Sequence, residues 1–169
     1  MTDSTDQGYW AKGRLTLSLW FDDQAEEAWG LYSSLFADSE LQHVARYGPG
    51  EQGPEGAVRS MGWRLNGLDI MVINGGPMYT LTPAVSLVAP CDTQEEIDRL
   101  WDALTADGGK EIACGWLEDR FGLSWQIVPS RLSEWIGHPD PAAAQRATQA
   151  MLSMQKLDIA ALEAAVAGE

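Results

Sequence analysis

The sequence predicts an α+β protein: two paired βαβββ modules forming a cupped mixed sheet, followed by C-terminal helices. Two observations carry this. "EEAWGLYSSLFAD" (Glu26 to Asp38) and "EEIDRLWDALTAD" (Glu95 to Asp107) share six identities in thirteen positions and stand 69 residues apart. Each is preceded by a strand-like run and followed by shorter β-like runs broken by turn residues, so a whole supersecondary unit repeats.

The elements follow in chain order. "MTDSTDQGYWAKGR" lacks the basic start and apolar run of a secretory leader, and residues 1–13 read as a polar, disordered lead-in. Arg14 to Phe21, "RLTLSLWF", is the first strand. Its residues Leu15, Leu17, Leu19 and Phe21 alternate with Thr16, Ser18 and Trp20, so the leucine face covers a helix and the other face looks into a concavity. Ala28, Leu31, Tyr32, Leu35 and Phe36 then fall at the 3.6 period of a helix, with Asp23 and Glu26 as its capping box. Three strands follow: Leu41 to Tyr47, Val58 to Leu65 and Leu68 to Ile73. Asn66-Gly67 between the last two is a hairpin signal.

The second module repeats the scheme. Pro83 to Ala89 is its opening strand, with Ala84, Ser86 and Val88 on the concave side. Thr93 and Glu96 cap a helix whose stripe is Ile97, Leu100, Trp101 and Leu104, stopped by Gly108-Gly109. Ile112 to Leu117 and Leu123 to Val128 flank the turn "EDRFG", which leaves the middle strand very short. In the last strand Trp125 shares a face with Ile127, and Gln126 shares the opposite one with Ser124. The modules cover about 14–75 and 82–130 and form one domain, 14–130, with a helical tail over 131–169. In that tail Asp140-Pro141 starts a helix running to about Gln155, and Asp158 caps "IAALEAAVA". Met151, Leu152 and Met154 give the tail an apolar side that docks on its own domain or on a second subunit.

Composition limits the function classes. A net charge of −14 and a pI near 4.3 set the surface against phosphate backbones and anionic lipid heads, which excludes nucleic acid and membrane as partners. No apolar run approaches the ~20 residues of a membrane span. Without an export signal the compartment is the cytoplasm, and Cys91 and Cys114 are reduced thiols outside any metal-type spacing.

"LWFDDQAEEAWGLYSSLF", "INGGP", "CGWLEDRFGLSWQIVP" and "AMLSMQKLDIAALEAA" resemble the PhnB-like branch of the vicinal oxygen chelate superfamily, which includes glyoxalases, bleomycin-resistance proteins and extradiol dioxygenases; the branch is often labelled 3-demethylubiquinone methyltransferase. The resemblance implies ligand positions on the opening and closing strand of each module. Carried over, these are Thr16 or Ser18, Met71, Ala84 or Ser86, and Gln126. It also implies a homodimer.

A divalent metal needs three or four convergent donors with an anionic or imidazole share, and of these positions only Gln126 has a ligand-type side chain. His43 and His138 fall elsewhere, so the expectation is no metal and no cofactor. An S-adenosylmethionine pocket of the common kind needs a glycine turn leading into a helix, and in "INGGPMYTL" Pro77 and a β-like run follow instead. No nucleophile with an adjacent base is visible, so no catalytic residue is assigned. The reading is a metal-independent protein that binds an uncharged or aromatic small molecule through Ser18, Trp20, Met71, Ser86 and Gln126, as a sequestering protein or an enzyme. Three readings stand beside it: a metal-dependent lyase, isomerase or dioxygenase, a methyltransferase for a quinone-like substrate, and a structural or interaction module whose cup is filled by its own side chains.

Overall fold

The computed structural model describes residues 15–169, so the lead-in expected over 1–13, and Arg14, lie outside the described residues. The chain through Thr80 forms one compact unit and Leu81–Glu169 a second.

The first unit runs β1 (Leu17–Phe21), α1 (Ala25–Leu35), β2 (Ser39–Arg46), β3 (Val58–Leu65) and β4 (Leu68–Asn74). Its sheet has the order β1-β4-β3-β2, with β1 parallel to β4 and the other pairs antiparallel. The second unit runs β5 (Ser86–Cys91), α2 (Gln94–Thr105), β6 (Lys110–Glu111), β7 (Trp116–Glu118) and β8 (Ser124–Pro129). Its order, β5-β8-β7-β6, and its strand senses are the same. The sequence repeat is thus a repeat of topology, and the α+β architecture of two four-stranded mixed sheets is as expected.

Burial follows the predicted alternation within each sheet. Leu19, Phe21, Ile70, Val72, Met61 and Trp63 are buried. Trp63 centres this core against α1, with ring centroids 5.7 Å from Trp29, 6.0 Å from Tyr32 and 6.3 Å from Phe21. Aromatic contacts of this kind add about 0.5–1.5 kcal/mol each beyond area burial. In the second unit Ile97, Leu100, Trp101 and Leu104 of α2 are all buried, as are Leu117, Trp125 and Ile127 of the sheet.

Several boundaries differ from the sequence reading. Leu15 is fully exposed and precedes β1, so it takes no part in the helix-facing row. The strand expected over Pro83 to Ala89 begins at Ser86, because Val85 N–H donates to Thr82 O across a turn holding Pro83. Ala84 is therefore a turn residue. The same strand continues through Pro90, which an edge strand tolerates because a missing N–H there breaks no ladder. The run Ile112 to Leu117 is broken, since Cys114 (φ 61) and Gly115 (φ 80) are both left-handed. Asn66 (φ 47) and Gly67 (φ 82) make the expected primed hairpin turn.

Of the expected caps, Thr93 accepts from Glu96 N–H at 3.2 Å, and Asp140 and Asp158 cap the tail helices. Asp23 does not cap α1. The amide of Ala25 donates instead to Asn74 Oδ1 at 3.1 Å, and Asn74 Nδ2 donates to the carbonyls of Asp23 and Val58, both at 3.1 Å. A residue at the end of β4 thus closes the start of α1, 49 positions away.

The tail forms α3 (Leu132–Ile136), α4 (Pro141–Ser153) and α5 (Ile159–Ala167). Trp135, Ala147, Leu157 and Leu162 make its core, against which Val128, Met151 and Met154 pack. Leu152, expected on the apolar side, is 61% exposed. The segment between α4 and α5 straps the tail to the second unit. Cys114 N–H donates to Met154 O (2.8 Å) and Gly115 N–H to Gln155 O (2.7 Å), while Gln94 bonds Leu157 O and Ile159 N–H. No helix among the described residues is long and apolar enough to cross a membrane.

Candidate functional site

Each sheet has one face under its helix and one face away from it, and the five predicted site residues all lie on the latter. In the second unit this face carries Ser86 and Val88 from β5, Ser124 and Gln126 from β8, and Trp116 and Glu118 from β7. Directly opposed ladder residues share a face, which places the half-buried Trp116 beside Gln126. The Gln126 carboxamide donates from Nε2 to Ser86 Oγ at 2.9 Å. That bond leaves Gln126 Oε1 as an acceptor and the Ser86 hydroxyl hydrogen as a donor. Glu118, the nearby carboxylate, is given to Lys110 at 2.6 Å. The surface around Gln126 is therefore neutral, polar at its centre, and flanked by an indole and by Val88, which is 54% exposed.

The strand carrying Gln126 is fixed by a buried turn. Asp119, 2% exposed, accepts at Oδ1 from the amides of Phe121 (2.9 Å) and Leu123 (3.0 Å). Its Oδ2 accepts from Trp125 Nε1 at 2.9 Å. Trp125 thus belongs to the helix-facing core, and its indole N–H sets the register from which Gln126 points the other way.

In the first unit Ser18 pairs with Met71, and Met71 is flanked on its other side by Gly62. Ser18 is exposed and Met71 half-buried. Trp20 lies further along the same face. Its Nε1 donates to Gly76 O at 2.8 Å, and Tyr79 meets the indole edge-on with centroids 5.1 Å apart. Gly75 lies flat on that indole, since a Cβ there would stand 2.1 Å from Trp20 Cζ2. Further across the face, Arg64 pairs with Asp69 at 3.0 Å and Glu40 at 3.4 Å.

The "INGGP" stretch is thereby accounted for. Asn74 caps α1, Gly75 N–H donates to Phe21 O, and Gly76 N–H donates to Asp22 O. Both glycine amides are consumed by carbonyls at the end of β1, so they offer nothing to an anionic cofactor.

The donor set does not fit a divalent metal. Ser18 and Met71 in one unit, and Ser86 and Gln126 in the other, supply hydroxyl, thioether and carboxamide groups without a carboxylate or imidazole. Among the described residues no group of three His, Cys, Asp or Glu side chains could hold an ion. A cleft of about 410 Å³ does open in the first unit beside Asp22, Asp23, Glu26 and Tyr47, but none of the five predicted residues lines it. The thiol of Cys91 is buried on the helix side of β5, and burial pushes its pKa up to about 11, which makes it a packing residue.

The sequence reading puts Ser124 on the Gln126 face without naming it as a contact, and it does not place Trp116 on that face. Trp116 is visible only once the ladder register of β7 and β8 is known, because it is cut off from its expected strand by the left-handed pair at Cys114 and Gly115.

Comparison with known proteins gives a consistent result. The model of the family described as 3-demethylubiquinone-9 3-methyltransferase matches residues 13–128. A PhnB protein from Bacillus cereus is 37% identical, with a TM-score of 0.63 over 69% of this chain and 98% of its own. The protein PA1353 from Pseudomonas aeruginosa is 20% identical, with a TM-score of 0.55 over 69% of this chain and 96% of its own. An E126Q mutant of the fosfomycin resistance protein FosX from Listeria monocytogenes, complexed with Mn(II) and a dihydroxypropylphosphonic acid, is 13% identical. It aligns with a TM-score of 0.52 over 72% of this chain and 94% of its own, a likeness of fold alone. No curated protein matches the chain.

Proposed function

Because the chain belongs to the 3-demethylubiquinone-9 3-methyltransferase family, the PhnB-like branch of the vicinal oxygen chelate superfamily, we propose that it binds an uncharged small molecule without the help of a metal ion. Ser18, Trp20 and Met71 of the first sheet and Ser86 and Gln126 of the second are the contact residues of this proposal. A cytoplasmic homodimer is part of it.

One observation carries the reading. At the positions where relatives with metal chemistry would need anionic or imidazole donors, Gln126 and Ser86 bond each other at 2.9 Å. A neutral pair satisfied in this way has no excess negative charge with which to hold a divalent ion, while its remaining donor and acceptor suit a carbonyl or hydroxyl oxygen. Trp116, half-buried beside Gln126, adds a flat apolar wall, the usual complement to a few oriented polar groups in a small-molecule site. An anionic ligand is disfavoured by the chain's charge of −14.

Methyl transfer draws no support from the glycine stretch, whose amides are used internally. Calorimetric titration with S-adenosylmethionine tests that reading separately. The main test is a thermal-shift panel of uncharged planar compounds, with duroquinone, a flat dione, as the first probe. Binding raises the midpoint by mass action, and Gln126→Ala and Ser86→Ala abolish the rise. Stabilisation by Mn(II) or Zn(II) alone, lost in those same variants, would overturn the proposal.

A further inference from the structure

Ser124 stands out on the Gln126 face. It is 1% exposed, and its Oγ has no hydrogen-bond partner among the described residues. Buried hydroxyls are nearly always bonded, because one without a partner destabilises the fold. Its ladder neighbours could have served it, since Ser86 flanks it on β5 and Glu118 on β7. Neither bonds it: Ser86 Oγ accepts from Gln126, Glu118 holds Lys110, and Ser124 Oγ is left without either. A polar group kept in a core position without a partner is the pattern of a site whose partner arrives with the ligand.

We propose that Ser124 is a third polar contact of this face, completing its hydrogen bond on a carbonyl or hydroxyl oxygen of the uncharged ligand seated against Ser86 and Gln126. The inference rests on the small-molecule reading above and adds to it a residue and a chemical class. The neighbouring groups set that class. Lys110, the cation bonded to the neighbouring Glu118, is paired with that carboxylate, so the pair offers no net positive charge to a carboxylate or phosphate. A serine hydroxyl can donate or accept, so it tolerates either oxygen type.

Duroquinone binding and ligand-free melting of wild type, Ser124→Ala and the near-isosteric Ser124→Cys test this. In the absence of ligand, Ser124→Ala melts at or above the wild-type midpoint, because it deletes a hydroxyl that has no partner. Its affinity for duroquinone falls about tenfold or more, with Ser124→Cys in between. If ligand-free Ser124→Ala instead melts lower by about 3 °C or more, the hydroxyl is served within the protein and the inference fails, with the binding reading untouched. Equal duroquinone affinity in wild type and Ser124→Ala also overturns it. If wild type binds neither duroquinone nor any other uncharged planar compound, the binding reading itself fails and takes this inference with it.

Discussion

Replacing Asp119 by alanine should be among the most damaging single changes in the second unit. Its carboxylate accepts three hydrogen bonds, from the amides of Phe121 and Leu123 and from Trp125 Nε1, at 2.9 to 3.0 Å. The Phe121 amide, part-buried, can turn to water. Leu123 is 1% exposed and Trp125 2%, so their donors cannot. Each buried donor left without an acceptor costs about 1–3 kcal/mol, and hydrogen bonds to a charged group lie at the upper end. Some of this is returned, because alanine no longer requires a carboxylate to be desolvated. A net loss of about 3–4 kcal/mol follows, or a midpoint drop of about 10 °C at 2–4 °C per kcal/mol for a chain of this size. Urea unfolding followed by far-UV circular dichroism measures it without relying on the indole involved. Asp119→Asn, which keeps the shape but cannot accept at both ends, should lose about half as much. In the Asp119→Asn, Trp125→Phe cycle the two changes should fall short of additivity by about 1 kcal/mol or more. An Asp119→Ala loss under about 1 kcal/mol would refute the claim that this carboxylate organises the β7–β8 turn.

Other consequences can be checked together. Gly75→Ala places a methyl on the Trp20 indole, displaces it from Gly76 O and costs about 1–3 kcal/mol; the 19F resonance of a 5-fluorotryptophan sample that Trp20→Phe removes should move. Gly115→Ala combines φ 80 with a Cβ 2.7 Å from Ile127 O, so it should lower stability by about 2–4 kcal/mol and make the strap at 154–158 more open to limited proteolysis. The Lys156–Asp98 pair (2.9 Å) gives the strap a pH window. Its hydrogen bond to Lys156 holds the Asp98 pKa below the ordinary 3.8, so that contribution fades as pH falls through the lowered value. The bond to Asp98 holds Lys156 above the ordinary 10.5, so its contribution is complete below 10.5 and is lost as pH rises through the raised value. Lys156→Met should flatten both limbs of tail protection measured by hydrogen exchange, by no more than about 1 kcal/mol for so exposed a pair. Finally, the folded protein at pH 8 should leave Cys91 unmodified by a thiol reagent that reaches Cys114, because Cys91 is 2% exposed and its pKa is near 11.

Local signals were legible wherever a single residue sets the backbone. Asn66-Gly67, Thr93, Asp140-Pro141 and Asp158 do what their types favour. Period-2 alternation likewise separated Leu19 from Ser18 and Trp125 from Gln126, which is how the face bearing Ser86 and Gln126 could be named in advance. What stayed hidden was decided at long range. Asn74 displaces Asp23 as the cap of α1 because a strand end 49 residues on delivers a carboxamide to that amide. The strand around Cys114 breaks because the tail takes up its amides, from residues 40 positions later. Ser124 could not be singled out from sequence, since its isolation depends on Ser86 and Glu118 being drawn off by Gln126 and Lys110.

The most direct test of the neutral-site account is native mass spectrometry of the purified protein, before and after incubation with excess Mn(II) and Zn(II), beside Gln126→Ala. The account predicts no stoichiometric metal adduct in either protein, and in wild type alone an adduct with an uncharged organic compound such as duroquinone. One equivalent of divalent ion retained by wild type and released by Gln126→Ala would contradict it.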